Sequence, residues 1–530
     1  MARSAHLDTF AGDHLPPAET WPPLHAPGLS YPDRLNVAGE LLDGHPRFRT
    51  ALVFPGGTWT YGELSDRVGQ MANLLTDEYG LQPGNRVLIR IPNNQWLVAT
   101  WLAVLKAGAI AVTSMPALRP VEMRTINEIA KIDFSVVDDR FSADWIEAAI
   151  GPGVMVNAEF IGALDKQPKT FQEVDTAADD VALLAFTSGT TGRPKATMHF
   201  HRDILAIADT FSAHLVKPTA DDLFVGSPPI GFTFGLGGLV VFPMRVGASS
   251  LLLEKATPDL LAPALAEYRP TIMFTAPTAY RALLAMPDVD FSSLRRCISA
   301  GEPLNVTTWH AFHERTGIKI IDGIGSTEML HIFISAADGD IRPGSTGRPV
   351  PGFEACILDD DGNEVPNGTL GRLAVRGPTG CRYLNDERQT VYVQHGWNLT
   401  GDTYTRDDDG YFWYQARNDD MIISSGFNIA GPEVEMALMS HPDVLESAVV
   451  GAPDEERTMI VYAFVVRKPG TDPSVADLQE HCRKTIAPYK APRVIEFVDA
   501  LPRTTTGKIQ RYVLRNMAAD ESAGGGQAGR

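Results

Sequence analysis

Apolar residues at helical spacing alternate with short apolar runs along most of this chain. Tyr61 to Leu75 has the spacing of a helix, Arg86 to Ile91 is typical of a strand, and Trp96 to Lys106 is helical again. From about Trp59 onward, this alternation predicts an α/β protein with largely parallel sheets, because parallel strands need crossover helices. Residues 1–35, rich in proline and histidine, are expected to form an irregular arm.

The pattern changes near residues 417–420, where we predict a domain boundary. The elements expected after it are a helix over 432–439, strands over 447–451 and 460–467, a helix over 475–486, a strand over 494–498 and a last helix. This set is typical of a small α+β domain. The prediction is an N-terminal domain over residues 1–418 and a C-terminal domain over 419–530. Residues 521–530 contain Gly-Gly-Gly and are expected to be a disordered tail.

The segment 221–244 fits neither pattern, since prolines and glycines punctuate its aromatic residues. We expect a loop that lines an apolar pocket, and a plain core loop is the alternative. A helix is expected over 204–215, after the glycine-containing run 187–195, with Asp203 as its cap.

Composition narrows the class of protein. The 530 residues are 44% apolar and 21% charged, which is typical of a globular protein of two or more domains. The net charge of −19 argues against nucleic acid or an anionic membrane as a partner. The four cysteines are far apart, and the amino terminus lacks the features of a signal peptide. We therefore expect reduced thiols and a cytoplasmic protein without a membrane span.

The most informative motif is the nine-residue run from Thr187 to Lys195, which follows a strand-like run over 181–186. Its glycines allow close backbone approach, so its N–H groups and hydroxyls could surround a polyphosphate. Lys195 adds a point charge, and Arg193 adds a guanidinium that can bind two oxygens. The run lacks the Gly-Lys-Ser/Thr ending of a Walker A loop. A surface loop without function is the alternative.

Four further clusters have a composition that suits nucleotide chemistry. Residues 323–328 follow an apolar run, and Glu328 on this glycine turn could hold Mg²⁺ beside a phosphate; a tight turn with Glu328 capping a helix is the alternative. Asp402 could accept hydrogen bonds from both ribose hydroxyls, or be a simple turn carboxylate. Arg417 could contact the same sugar, or be a solvated linker residue. Lys508, in the cationic loop 502–511, could stabilise charge in adenylyl transfer, although composition alone favours an ordinary basic turn.

Several other catalytic classes are excluded by motif. The chain contains no Gly-x-Ser-x-Gly elbow, no His-Glu-x-x-His and no Gly-x-Gly-x-x-Gly fingerprint. Two histidine pairs, His199 with His201 and His310 with His313, have no further ligands at metal spacing. We interpret these histidines as structural or surface residues.

Taken together and in this order, the five strings resemble the adenylate-forming superfamily of acyl-CoA synthetases, peptide-synthetase adenylation domains and firefly luciferase, over residues 35–515. The resemblance implies a large N-terminal domain, a small mobile C-terminal lid, and ATP, Mg²⁺ and coenzyme A as cofactor and cosubstrates. It also implies two half-reactions. A carboxylic acid attacks the α-phosphate of Mg·ATP and releases pyrophosphate, and the thiol of coenzyme A then displaces AMP from the acyl-adenylate.

The resemblance assigns catalytic roles to Lys195, Thr327, Glu328 and Lys508: the first grips phosphate, Thr327 meets the α-phosphate, Glu328 holds the metal, and Lys508 is the adenylation lysine. The residues that it places around ATP are Thr187, Ser188, Gly189, Thr190, Thr191, Gly192, Gly301, Glu302, Pro303, Asp322, Gly323, Ile324, Gly325, Asp402 and Arg417. It makes Asp419 the hinge of the lid and Gly426 part of the pantetheine tunnel. Two positions depart from the family, since Ile324 stands where tyrosine is usual and Ala416 where glycine is common.

Within the superfamily, residues 232–237 and 325–332 look most like benzoate- and 2-aminobenzoate-CoA ligases. The resemblance implies an aryl-acid pocket made of Phe232, Thr233, Phe234, Ala300, Gly325, His331 and Ile332. Benzoate ligases commonly have alanine at Thr233 and tyrosine at Phe234, and Phe232 matches their gating aromatic. A hydroxyl at Thr233 suits an ortho amino or hydroxyl group, unless it only bonds its own backbone.

These readings predict an ATP-dependent aryl-acid CoA ligase that acts on 2-aminobenzoate (anthranilate) or benzoate. A ligase for salicylate or another hydroxybenzoate, and an aryl-AMP ligase that loads a carrier protein, are alternatives. A nucleotide-binding scaffold without catalysis is a third, but its expected losses among Lys195, Glu328, Asp402 and Lys508 are absent. The oligomeric state is left open, with a homodimer as one arrangement.

Overall fold

The computed structural model describes residues 2–24, 28–187, 194–417, 420–424, 427–454, 457–486, 488–503 and 508–524. Over these ranges the strands form four sheets, three before residue 418 and one after it. The predicted α/β class with a smaller C-terminal α+β part is confirmed. The boundary at residue 418 stays a prediction.

The largest sheet has nine strands and is parallel in its centre. Its strands, from one edge to the other, are Arg348–Pro349, Ile332–Ser335, Ile321–Gly325, Arg296–Ser299, Ile272–Thr275, Leu223–Gly226, Ser249–Leu251, Thr50–Phe54 and Gly57–Thr60. The two strands at the first edge and the one at the last pair antiparallel.

The second sheet has six strands and ends in the hairpin that carries the glycine-rich run. Its strands are Gly153–Val156, Phe134–Asp138, Arg86–Arg90, Ile110–Thr113, Val181–Thr187 and Lys195–Phe200. The first five pair in parallel, as predicted, and Lys195–Phe200 pairs antiparallel with its neighbour.

Two five-stranded sheets complete the set. The antiparallel third sheet contains Glu354–Leu358, Gly371–Arg376, Trp397–Arg406, Val393–Gln394 and Phe412–Arg417. The C-terminal sheet contains Phe427–Ala430, Met421–Ser424, Thr458–Arg467, Val444–Asp454 and Val494–Phe497.

The helices cover the sheets, and three of them continue as π-helical turns. The α-helices are Phe10–Asp13, Val37–Leu42, Tyr61–Asn73, Gln95–Lys106, Pro120–Ala130, Ser142–Ala148, Ala158–Leu164, His201–Ile207, Thr233–Leu236, Phe242–Arg245, Pro258–Tyr268, Pro277–Ala285, Val306–Thr316, Gln389–Tyr392, Gly431–Met439, Val475–Thr485 and Arg511–Gly524. The π-helical segments are Leu74–Glu78, Ala208–Val216 and Gly237–Val241. Within the described ranges, no helix is long and apolar enough to cross a bilayer.

The main core lies around the helix Gln95–Lys106, whose residues from Leu97 onward are all buried. A helix that is apolar all round belongs in an interior, which explains its place among the elements of this core. The helix Tyr61–Asn73 packs on it and starts with a capping box, in which the Glu63 N–H donates to Thr60 Oγ1 and the Thr60 N–H donates to Glu63 Oε2.

The expected loop over 221–244 is wrong, since most of the segment forms a strand and short helical turns. Two of its glycines, Gly235 and Gly237, serve close packing and not chain reversal. A Cβ on Gly235 would lie 2.2 Å from the Pro229 carbonyl, and one on Gly237 would lie 2.4 Å from the imidazole of His331. Local composition cannot separate these two uses of glycine.

Other expected turns and caps also differ from the structure. Residues 323–325 and 397–402 lie in strands, so Asp402 is a strand residue and not a turn carboxylate. Asp203 lies inside the first turn of its helix and accepts a hydrogen bond from the Phe200 N–H at 3.0 Å. The last helix extends to Gly524, into the segment expected to be a tail, and residues 525–530 lie outside the described ranges.

The amino-terminal arm packs against the body of the protein. The Leu7 and Asp8 N–H groups both donate to the Pro83 carbonyl at 3.0 Å, and Asp8 forms an ion pair with the buried Arg86. Trp21 lies beside Phe200, with ring centroids 5.8 Å apart. The arm is irregular, as expected, but it is part of the folded structure.

Candidate active site

The ends of the glycine-rich run lie side by side, because Thr187 and Lys195 are register partners in the antiparallel hairpin. Ser188, Gly189, Thr190, Thr191, Gly192 and Arg193 lie outside the described residues. The Thr187 hydroxyl is buried and has no hydrogen-bond partner among the described residues. The phosphate-binding roles of residues 187–195 remain predictions.

A tyrosine hydroxyl links Lys195 to Glu328, the carboxylate that is predicted to bind the metal. Lys195 Nζ donates a hydrogen bond to the Tyr383 hydroxyl at 2.6 Å, and that hydroxyl donates to Glu328 Oε1 at 2.5 Å. Lys195 Nζ and Glu328 Oε1 are 3.7 Å apart, and Glu328 is only 7% exposed. A cation and a carboxylate from distant segments therefore meet in one sheltered place.

The turn that carries Thr327 and Glu328 is held from beneath by a histidine. His199 Nε2 lies 2.8 Å from the Thr327 carbonyl, to which it donates as the neutral ring. Complete burial, aided by the charge of Arg382, lowers the pKa of His199 to about 3. The turn leads into the strand Ile332–Ser335, so Glu328 does not cap a helix.

Asp402 and Arg417 are register partners on adjacent strands, with Arg417 Nη1 3.6 Å from Asp402 Oδ1. Lys508 lies near both, since the charges of Arg417 and Asp402 act on its pKa. Its side chain keeps an exposed surface, but the surrounding protein lowers the pKa of Lys508. Arg417 lowers it further, while Glu302, Asp402 and Glu328 oppose the shift. The structure thus brings Lys508 together with the predicted ribose and metal residues.

The predicted adenine residues lie in the same region as Lys508. Gly301 has φ of +93°, which glycine adopts without strain, and it presents Glu302 toward Lys508 and Arg503. Burial raises the pKa of Glu302. Gly301, Glu302 and Pro303 follow one parallel strand, and Asp322 lies in the next, opposite Ser299.

Burial raises the pKa of Asp322 from 3.8 to about 7, against the effect of hydrogen bonds from Ser299 and two backbone N–H groups. The folded protein therefore binds the proton more tightly than the unfolded chain, so this group's contribution to stability is present at low pH and is lost as pH rises toward 7.

We expect Asp322→Asn to become more stable relative to the wild type as the pH rises from about 4 to 7, with no further change above that range. The difference is at most on the order of 4 kcal/mol, at about 1.4 kcal/mol for each pKa unit. Denaturant unfolding across this pH range checks it, with the exposed Asp361→Asn as the control. A stability difference that is independent of pH would contradict the expected burial effect.

The predicted aryl-acid residues cluster around a buried imidazole. His331 is 3% exposed and lies among four phenylalanine rings, with centroids 4.6 to 6.5 Å away: Phe211, Phe234, Phe242 and Phe274. Burial lowers the pKa of His331 to about 3, partly offset by the backbone of Phe234. Neither ring nitrogen makes a well-aligned hydrogen bond to the described residues, so the neutral ring can offer a donor or an acceptor but no positive charge.

The other members of this set are positioned by neighbouring strands and a short helix. Ile332 is the register partner of Gly325, and Ala300 and Ile332 are buried. Phe232 precedes the helix Thr233–Leu236, and both Thr233 and Phe234 are partly exposed. Among the described residues, the Thr233 hydroxyl makes no hydrogen bond, which does not support the alternative that it bonds its own backbone.

The sequence did not indicate Tyr383 as a site residue, and it did not indicate which turn His199 supports. Neither has a local signal, since Tyr383 reaches Lys195 across 188 positions of the chain and His199 reaches Thr327 across 128. A bridge between Tyr383 and Thr197 makes this contact possible. Asp419 and Gly426, the predicted hinge and tunnel residues, lie outside the described residues.

A cation–carboxylate pair, a strand-borne Asp–Arg pair and a lysine from the C-terminal part, brought together by the fold, are the features of the adenylate-forming class of enzymes. The chain belongs to this class: residues 42–383 match the AMP-binding enzyme family, and residues 433–508 match the AMP-binding enzyme C-terminal domain. The predicted superfamily is confirmed, and so is the general activity of an AMP-forming acid–CoA ligase that uses ATP and coenzyme A.

Several individual relatives are CoA ligases for aromatic acids. The chain is 35% identical over 515 residues to a benzoate–CoA ligase of Thauera aromatica, covering 92% of this chain and 97% of that one. It is 36% identical to the anthranilate CoA ligase AuaEII, solved with anthranoyl-AMP, with a TM-score of 0.88 over 93% of this chain and 99% of that one. It is 32% identical to a benzoate CoA ligase from Burkholderia xenovorans LB400, with a TM-score of 0.84 and coverage of 91% and 100%.

Proposed function

We propose that this protein is an ATP-dependent aryl-acid CoA ligase whose preferred acid is 2-aminobenzoate, with benzoate as the nearest competitor. The observation that carries the proposal is that Lys195, Glu328, Asp402 and Lys508 lie close enough to interact, with Glu328 shortly before His331 in the chain and His331 among its aromatic neighbours. The relatives that act on benzoate and anthranilate support the same acid class.

The first half-reaction follows from these charges. A carboxylate oxygen of the acid attacks the α-phosphorus of ATP, the bond to the bridging oxygen breaks, and pyrophosphate leaves. Lys508 offsets the negative charge that accumulates between the acid and the α-phosphate, and Lys195 offsets that of the leaving group. Asp402 and Arg417 hold the ribose, which fixes the α-phosphate relative to the acid.

The carboxylate of Glu328 fits a Mg²⁺ site that ATP completes. Magnesium binds through one or two protein carboxylates together with phosphate oxygens and water. When bound, the ion would neutralise phosphate charge, and Glu328 would orient it.

In the second half-reaction, the sulfur of coenzyme A attacks the carbonyl carbon of the aryl-adenylate, and AMP leaves with the electron pair of the broken C–O bond. The mixed anhydride makes this possible because AMP is a better leaving group than hydroxide. We infer that the C-terminal part moves about Asp419 between the two steps, and that Gly426 then lines the thiol's path.

The acid would be recognised by apolar walls and by two polar groups, the partly exposed Thr233 hydroxyl and the His331 imidazole, whose ring nitrogens have no hydrogen-bond partner among the described residues. The hydroxyl suits an ortho amino group. A pyrophosphate-release screen over benzoate, 2-aminobenzoate, salicylate, other hydroxybenzoates and short fatty acids tests the proposal. AMP release that depends on coenzyme A separates a CoA ligase from a carrier-loading enzyme, and faster turnover of a fatty acid than of every aryl acid would contradict the assignment.

Thr233→Ala is expected to lower the preference for 2-aminobenzoate over benzoate by roughly fivefold, the effect of one hydrogen bond of about 1 kcal/mol. The measurement is the ratio of kcat/KM for the two acids. Thr485→Ala, whose hydroxyl bonds the His481 carbonyl in the C-terminal part, is the control. An unchanged ratio in Thr233→Ala would remove the ortho-recognition hypothesis without affecting the ligase assignment.

A further inference from the structure

The hydroxyl of Tyr383 stands between the two charged groups that the reaction needs. It accepts a hydrogen bond from Lys195 Nζ at 2.6 Å and donates one to Glu328 Oε1 at 2.5 Å. The same nitrogen lies 4.4 Å from the centroid of the tyrosine ring. Tyr383 is itself completely buried.

We propose that Tyr383 is a positioning residue that keeps Lys195 and Glu328 apart and available, one for the phosphates and the other for the metal. The inference rests on the proposed function and extends it to a residue outside the recognised motifs. It explains why a buried phenol lies between an ammonium and a carboxylate.

A phenol suits this position because it has one donor and one acceptor. Lys195 and Glu328 are already 3.7 Å apart in a sheltered place, where opposite charges attract strongly. Without the hydroxyl this ion pair could shorten to a direct hydrogen bond, in which each group would neutralise more of the charge that the other must present. The hydroxyl accepts from Lys195, because an ammonium can only donate, and its own proton is therefore directed to Glu328.

The backbone of Tyr383 is fixed to the same sheet edge as Lys195. Its N–H donates to Gln389 Oε1 at 2.9 Å, and Gln389 is itself buried. The flanking residues are tied to the strand of Lys195, since the Leu384 N–H donates to the Ala196 carbonyl at 2.9 Å. The ring also meets Tyr392 edge-on, with centroids 5.8 Å apart. The hydroxyl is therefore held in place independently of any ligand.

The inference predicts a specific change in metal and nucleotide affinity. Tyr383→Phe keeps the ring under Lys195 and removes only the hydroxyl. We expect the Mg²⁺ concentration for half-saturation to rise about tenfold, with weaker binding of Mg·ATP, because hydrogen bonds to charged groups are the stronger ones. Titration calorimetry of Mg·ATP without any acid measures this, and pyrophosphate release over a Mg²⁺ series measures it during turnover.

Tyr280→Phe is the matched control, because Tyr280 is also fully buried and donates to a carbonyl, that of Ile298, in a different part of the core. It should lose similar stability and keep its Mg²⁺ dependence. Unchanged Mg²⁺ half-saturation and Mg·ATP affinity in Tyr383→Phe would overturn the inference. So would a loss of thermal stability in both variants with equal effects on Mg²⁺.

Two further variants separate positioning from packing. Tyr383→Gln keeps a donor and an acceptor near the hydroxyl and should recover part of the Mg²⁺ affinity, even if the phenylalanine variant folds poorly. In a double-mutant cycle, Tyr383→Phe should add little to Glu328→Gln, since both act on one carboxylate. Fully additive effects would overturn the inference. Absence of pyrophosphate release by the wild type with every aryl acid would instead contradict the proposed function, and the calorimetric result would still test Tyr383.

Discussion

Lys508→Ala is expected to slow formation of the aryl-adenylate by roughly 10²- to 10³-fold, the usual effect of removing one preorganised group that stabilises transition-state charge. Lys508 lies within the electrostatic reach of Asp402, Glu302 and Glu328, and the surrounding protein already lowers its pKa. In the proposed reaction its charge offsets the charge that develops at the α-phosphate, so the loss should fall on the rate more than on ATP binding. Single-turnover pyrophosphate release measures it.

The control for this variant is Lys490→Ala. Lys490 also belongs to the C-terminal part, but it pairs with Glu433 at 2.6 Å. Conversion of a preformed aryl-adenylate to the thioester should change little in Lys508→Ala, because the phosphoryl step has already passed. Full acyl-adenylate formation by Lys508→Ala would show that the lysine assignment is wrong.

Arg382→Leu is expected to destabilise the protein by about 3–5 kcal/mol, because it leaves Asp203 buried without its partner. Arg382 and Asp203 are both completely buried and hydrogen-bonded to each other, and the guanidinium lies 4.0 Å from the centroid of the Phe200 ring. Burial raises the pKa of Asp203, and Arg382 opposes that shift. Chemical denaturation measures the loss.

Removing both charges should cost much less than removing one. A double variant, Arg382→Leu with Asp203→Leu, is therefore expected to recover most of the stability. Arg483→Ala, which removes an exposed ion pair with Glu480, should change stability by less than about 1 kcal/mol. An Arg382→Leu protein as stable as the wild type would mean that the pair contributes packing only.

The ion pair also bears on catalysis, because Arg382 precedes Tyr383 and its carbonyl accepts a hydrogen bond from the Met198 N–H at 2.7 Å. The segment that presents the tyrosine is thus fixed to the strand Lys195–Phe200 by both backbone and charge. We expect residual Arg382→Leu activity to show a raised Mg²⁺ requirement, as in Tyr383→Phe.

Much of the fold could be predicted from local pattern. The helices at Tyr61 and Gln95 and the strand at Arg86 begin within one residue of their expected positions. In the two helices, the apolar spacing fits only a helical period over ten or more residues. In the strand, a short continuous apolar run indicates a buried strand. The segment 221–244 was misjudged because glycine marks both turns and close helix packing, and only the position of His331 shows which one applies.

The candidate site also has a part that local sequence predicts and a part that it does not. The amino-acid sequence by itself determined the class of enzyme, because the predicted nucleotide-binding residues, such as Thr187 to Lys195 and Asp402, lie in short contiguous motifs that follow the family's order. Only the tertiary structure decided that Tyr383 joins Lys195 to Glu328 and that His199 supports Thr327, since these contacts link segments 55 to 188 positions apart. Such contacts depend on how the sheets stack and pair, and no local spacing encodes that.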